Sequence, residues 1–150
     1  MFWSPDGQRL VFQETGEAYV GRVRSLDVAT ASAGRLWDVA PLLDLHIATG
    51  EYVGRVSLLQ IDAGFFVQIL CCRSGDEALP NGSPRGFGIL TAAGMRRVPS
   101  PVGESEQVLA VDPAGLVAIT YDPIKSTVSR VNLDGSNRTT IGNQRATIVF

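Results

Sequence analysis

The chain has 150 residues, 45% of them hydrophobic, and a formal net charge of −2. That suffices for one domain, 1–150, with a sizeable core, and the weak negative charge with scattered basic residues argues against nucleic acid as the main partner. No stretch approaches the roughly 20 apolar residues of a membrane helix, and no basic segment followed by an apolar run opens the chain, so neither membrane insertion nor a leader is expected.

Read in order, Met1–Trp3 and Gln8–Gln13 flank the turn Ser4-Pro5-Asp6-Gly7. Proline at the second position, aspartate at the third and glycine at the fourth is the chemistry of a type I turn with a bulge, joining two strands. Glu14 to Gly34 fits neither a period of two nor a helical stripe; an extra hairpin and a short helix both remain open, and the segment is treated as an insertion. Leu36-Trp37 and Leu42–Ile47 read as extended, Ala48–Glu51 as a turn, and Tyr52–Val56 as the returning strand. A second unit follows with Ser57–Ile61, the turn Asp62-Ala63-Gly64 and Phe65–Cys72. An exposed loop over Arg73–Pro84, rich in Gly, Pro, Ser, Asp and Asn, leads to Arg85–Thr91, the turn Ala93-Gly94 and Met95–Val98. The third unit has Gln107–Val111, the turn Asp112-Pro113-Ala114-Gly115, Leu116–Tyr121, the loop Asp122–Ser126, Thr127–Leu133, the turn Asp134–Asn137 and Thr139–Ile141. Ala146–Phe150 reads as the first strand of a fourth unit.

Short β-branched and aromatic segments bounded by turn residues are an all-β signature. The first-turn glycines Gly7, Gly64 and Gly115 recur 57 and 51 residues apart, and the second-turn glycines Gly50, Gly94 and Gly135 recur 44 and 41 apart. These intervals lie at or slightly above the roughly 40 to 50 residues of a propeller blade. The expected fold is therefore a partial β-propeller of about three four-stranded antiparallel blades, 1–56, 57–99 and 105–142, with an extra strand in 144–150.

Trp3-Ser4-Pro5-Asp6-Gly7-Gln8-Arg9-Leu10-Val11-Phe12 resembles the repeat of TolB-type β-propellers, which is also the propeller of prolyl-oligopeptidase-like peptidases. Leu43–Glu51 and Val131–Asn137 are similar to the third-strand turns of that family. Asp62-Ala63-Gly64 departs from the pattern, having no proline. The resemblance implies four-stranded blades around a central axis and transfers no catalytic residue.

Complete propellers have about 4 to 8 blades, each burying its apolar faces only against its neighbours. Three blades and a strand cannot close, so either flanking blades or self-association is expected, two copies giving six blades. The links between second and third strands share one rim, opposite the glycine turns, and long loops are disproportionately functional. Arg73, Asp76, Glu77, Asn81, Arg85, Asp122 and Lys125 are the candidate surface for a protein or peptide partner.

Chemistry is otherwise sparse. The single histidine, His46, sits in an apolar run, where a structural role is expected, and neither a metal-ligand set nor a nucleophile triad is legible. No phosphate-binding or dinucleotide glycine pattern and no nucleophile elbow is present, so no cofactor is expected. The cysteines, Cys71 and Cys72, are adjacent; on a strand they point to opposite faces, which suits packing and not a mutual disulfide. The expectation is a non-enzymatic interaction module. The alternative is the gating propeller of a hydrolase whose catalytic domain lies outside this chain.

Overall fold

Two tight turns 108 residues apart are built alike. In the first, the Gly7 N–H donates to the Ser4 carbonyl and the Ser4 N–H to the Arg9 carbonyl, both at 2.8 Å. In the other, Gly115 donates to Asp112 at 2.8 Å and Asp112 to Val117 at 2.9 Å. The two glycines have φ of 68° and 69°, a left-handed value that a side chain disfavours. Each turn joins the first two strands of a sheet.

The computed structural model describes residues 1–13, 22–38, 51–73, 83–103 and 105–142, with the backbone alone at 38, 51–55, 71–73 and 83–85. All its regular structure is β. Sheet 1 comprises β1 (Phe2–Trp3), β2 (Arg9–Gln13), β3 (Arg22–Asp27) and β4 (Ser32–Asp38). Sheet 2 comprises β5 (Glu51–Ile61), β6 (Gly64–Arg73), β7 (Ser83–Thr91) and β8 (Gly94–Arg97). Sheet 3 comprises β9 (Gln107–Val111), β10 (Val117–Asp122), β11 (Thr127–Asn132) and β12 (Thr139–Gly142). Within each sheet the strands pair antiparallel in chain order. Three four-stranded antiparallel sheets is the architecture the turn spacing predicts.

Two boundaries move. The segment 14–34, read as an insertion, holds β3 and the start of β4, so it supplies half of sheet 1. The reason is local: the buried positions of β3 are Val23 and Ser25, the second of them polar, and opposite Arg24–Leu26 an extra residue on β4, at Gly34–Arg35, breaks the register. The turn between β3 and β4 is Val28–Ala31, with Ala31 at φ 52°, and not Ala48–Glu51. Tyr52–Val56 does not close the first unit, because it is continuous with Ser57–Ile61 in β5, which pairs with β6 from Glu51 to Ile61 across a bulge at Gly54. Sheet 1 thus lies within residues 2–38, not 1–56. The expected strand in 144–150, and with it Leu42–Ile47 and His46, lies outside the described residues.

The sheets stack face to face in chain order. Val11, Val23 and Trp37 of sheet 1 meet Val56, Leu58, Val67, Ile69 and Leu90 of sheet 2. From the other face of sheet 2, Ile61, Phe66 and Phe87 meet Val108, Ala118 and Val131 of sheet 3. Alternation sends the odd residues of β6 toward sheet 1 and the even ones toward sheet 3, so Phe65 to Leu70 are buried without a break. A strand covered on both faces reads as a continuous apolar run, with one exception: Gln68.

That exception recurs. Gln68, on the second strand of sheet 2, bonds the backbone of Val108 on the first strand of sheet 3. Gln13, on the second strand of sheet 1, accepts a hydrogen bond of 3.2 Å from the Val56 N–H on the first strand of sheet 2. The two inter-sheet joints are fastened by the same residue type at corresponding places.

Candidate functional site

The connection between β10 and β11 is the part of the expected binding rim that can be described with its side chains. Asp122 closes β10, and its Oδ1 accepts the N–H groups of Ile124 (2.9 Å) and Lys125 (3.1 Å) and the Ser105 hydroxyl (3.2 Å). Its Oδ2 is 3.1 Å from Lys125 Nζ. A side-chain carboxylate bonding the N–H two residues on is an Asx turn, and it allows a tight connection through Pro123 to Ser126, where Ser126 takes φ 53°. Burial raises the Asp122 pKa, but the Lys125 N–H and ammonium and the Ile124 N–H outweigh it and hold the carboxyl below its usual value.

Asp122 and Lys125 therefore divide the work. Asp122 is 2% exposed and its oxygens are taken up by the turn, so it holds the loop in shape and does not itself face a partner. Lys125 has 74% of its side chain exposed and stands at the crest beside Ile124, an apolar residue 68% exposed. The turn thus presents an ammonium next to a bare aliphatic side chain. Arg73 ends β6 and Arg85 lies near the start of β7, so both flank the corresponding link of sheet 2. Asp76, Glu77 and Asn81 fall in 74–82, outside the described residues, as does the link of sheet 1, 14–21.

Sequence reading overlooked a buried polar cluster on the face of sheet 3 that meets sheet 2. Glu106 Oε1 accepts from Thr120 Oγ1 at 3.1 Å and pairs with the Arg138 guanidinium, while Oε2 accepts the Gly103 N–H at 3.0 Å. Arg138 also donates to the Pro101 carbonyl at 3.0 Å. Every acceptor has a donor, so the cluster binds the β8–β9 link to sheet 3. Among the described residues no group of three or more His, Cys, Asp or Glu side chains could hold a metal ion.

The opposite rim, where the first turns emerge, is concave. Pro5, Asp62 and Pro113, one from the first turn of each sheet, line a shallow hollow together with Gln60 and Ile61. The Asp62 N–H donates across it to the Pro113 carbonyl at 2.8 Å. Beside this hollow a cleft of about 200 Å³ opens between sheets 1 and 2. Comparison with family models, with curated proteins and with solved structures finds no match to this chain.

Proposed function

We propose that the chain is a non-enzymatic interaction module of β-propeller type, similar to TolB repeats, holding a protein or peptide through the rim on which Lys125 stands. The observation that carries the reading is the repeated joint: consecutive four-stranded sheets, each fastened to the next by a second-strand glutamine on a first-strand backbone, with three first turns meeting at one hollow. Rotation of one unit about a common axis produces such a repetition, and a stack of unrelated sheets has no reason to.

In this reading the outer faces of sheets 1 and 3 are the positions of the preceding and following blades. Leu10, Phe12, Leu26 and Leu36 lie on the first, with Trp3 half exposed; Ile119, Tyr121 and Val128 lie on the second. Open apolar faces of this kind favour association. A second copy is the occupant that continues the internal joints, sheet 3 of each chain meeting sheet 1 of the other in a six-bladed ring. Light scattering on the purified chain is expected to give the mass of a dimer, and a monodisperse monomer overturns the ring.

Lys125 is the only lysine in the chain, so the α-amine of Met1 is the one other primary amine from which modification at the rim must be told apart, by mapping the modified residue. Peptides selected from a random displayed library against the folded chain should cross-link to Lys125 and lose affinity on Lys125→Ala. Peptides that bind the variant equally and do not cross-link there overturn the rim assignment.

A further inference from the structure

The cleft between sheets 1 and 2 lies on the opposite rim from Lys125. Its walls are largely apolar: Val11 and Trp37 from sheet 1, Phe65 and Leu90 from sheet 2. Arg9 and the first turns of both sheets edge it. Within these walls stand two polar groups whose bonding is incomplete. Trp37 Nε1 is the only buried side-chain nitrogen or oxygen without a hydrogen-bond partner among the described residues. Ser25, 1% exposed on the neighbouring strand, donates only a long bond of 3.4 Å to the Arg35 carbonyl. Room for its hydroxyl exists because residue 34 is glycine, where a Cβ would overlap Ser25 Oγ.

An indole N–H left unpaired in the interior is unfavourable, and buried polar groups in folded proteins nearly always find partners. A donor without an acceptor and a hydroxyl with lone pairs to spare, on adjacent strands of one wall, are complementary to an amide, which offers a carbonyl to the first and an N–H to the second. The volume sets the rest. A dry cavity of roughly 150 Å³ takes up benzene, whereas pockets for drug-sized ligands start at about 300 Å³, so 200 Å³ holds one side chain.

We propose that this cleft is a binding site for a single apolar residue of a peptide, aromatic or branched aliphatic, with its amide group bonded to Trp37 and Ser25. The site goes beyond the rim reading, being formed by other residues at the other end of the sheets. The apolar walls supply affinity and the polar pair distinguishes a peptide residue from a plain hydrocarbon.

The probes are N-acetyl-L-phenylalaninamide and toluene, which share the aromatic ring and differ in the amide. In a Trp3→Phe background Trp37 is the sole tryptophan, and its emission should shift and saturate with the amide probe. Ligand-observed NMR should show the amide probe binding more tightly than toluene, and Trp37→Phe, which trims the wall and removes the N–H, should weaken the amide about five- to tenfold more than it weakens toluene. Ser25→Ala should act in the same direction without touching the indole. No saturable change in Trp37 emission, or equal affinity for the two probes, overturns the proposal. Lys125→Ala should leave this binding unaltered, so the cleft and the rim fail separately.

Discussion

The side-chain amide of Gln68 closes a two-bond ring on the backbone of Val108: Nε2 donates to the Val108 carbonyl at 3.2 Å, and Oε1 accepts the Val108 N–H at 2.8 Å. A primary amide has the same donor and acceptor pair as a peptide unit, so sheet 2 satisfies an otherwise unpaired stretch of β9 as a neighbouring strand would. Gln68 is itself 1% exposed. Gln68→Ala leaves both Val108 groups unpaired inside the joint, and the expected cost is about 2–4 kcal/mol, read as a lower midpoint in urea unfolding. Gln13→Ala, which removes a single bond to the Val56 N–H, should cost about 1 kcal/mol. Equal, negligible effects would mean that the joints are held by apolar contact alone.

The Glu106 cluster makes an asymmetric prediction. Glu106 is 6% exposed, whereas the Arg138 side chain is 38% exposed and can turn to water when its partner is lost. Glu106→Ala removes the acceptor of the Gly103 N–H and leaves the Thr120 hydroxyl its long bond to the Ser129 carbonyl, and about 1–2 kcal/mol of destabilisation is expected. Arg138→Ala leaves a buried carboxylate with two neutral donors and no counter-charge and should cost more, about 2–4 kcal/mol. Thermal melts of the two variants check the order, and Glu106→Ala as the worse of the pair would contradict it.

What was legible in the chain was local. Ser4-Pro5-Asp6-Gly7 and Asp112-Pro113-Ala114-Gly115 state their turns in four residues, and the structure realises both with matching hydrogen bonds. The first-turn glycines all join first and second strands, and the all-β pattern gives three four-stranded sheets. Illegible were features that only neighbours define. Ser25 occupies a core position as a polar residue, which hides the apolar alternation of β3; Ala31 adopts a left-handed φ that glycine ordinarily signals, so the sequence pattern points to Gly50 for the turn of sheet 1. Among the site residues, Asp122 looks like a solvated loop aspartate in sequence, and only the tertiary structure shows it buried and committed to its turn. The cleft wall is assembled from strands β2, β3, β4, β6 and β7, a combination no local motif announces.

Acid should loosen the turns before the core. Asp6, Asp27, Asp112 and Asp134 each have a pKa held below the usual 3.8: Asp6 by the Ser4 hydroxyl and then the Gln8 N–H, Asp27 by the Thr30 N–H, Asp112 by the Val117 N–H, and Asp134 by the Ser136 hydroxyl. A carboxylate with a lower pKa folded than unfolded adds stability above the unfolded value, and that contribution disappears as the pH falls through the folded value. Stability should therefore be flat from neutrality to about pH 4 as far as these groups act, then decline below it. Asp112→Asn keeps an oxygen for the Leu116 and Val117 N–H groups, both at 2.7 Å, while removing the titration. The variant's unfolding midpoint should depend less steeply on pH between 4 and 2, and an unchanged slope would show that Asp112 is not among the groups responsible.

Two first-turn glycines should respond very differently to the same substitution. Gly7 has φ 68° and open space where a Cβ would stand, so Gly7→Ala bears only the cost of a left-handed alanine, about 1–2 kcal/mol. Gly64 has φ 147°, and a Cβ there would overlap the carbonyl oxygen of Leu90 on β7. That oxygen belongs to the backbone of the adjoining strand and cannot swing aside, so Gly64→Ala must separate β6 from β7 at the register pair Phe65 and Leu90. The expected loss exceeds that of Gly7→Ala by about 2 kcal/mol or more, in the range of backbone strain combined with overpacking. Because Phe65, Leu90 and Gly64 also line the cleft, Gly64→Ala should abolish uptake of the amide probe under conditions where the chain is still folded, while Gly7→Ala should not. A Gly64→Ala chain as stable as Gly7→Ala would mean that the two strands lie further apart there than this close approach implies.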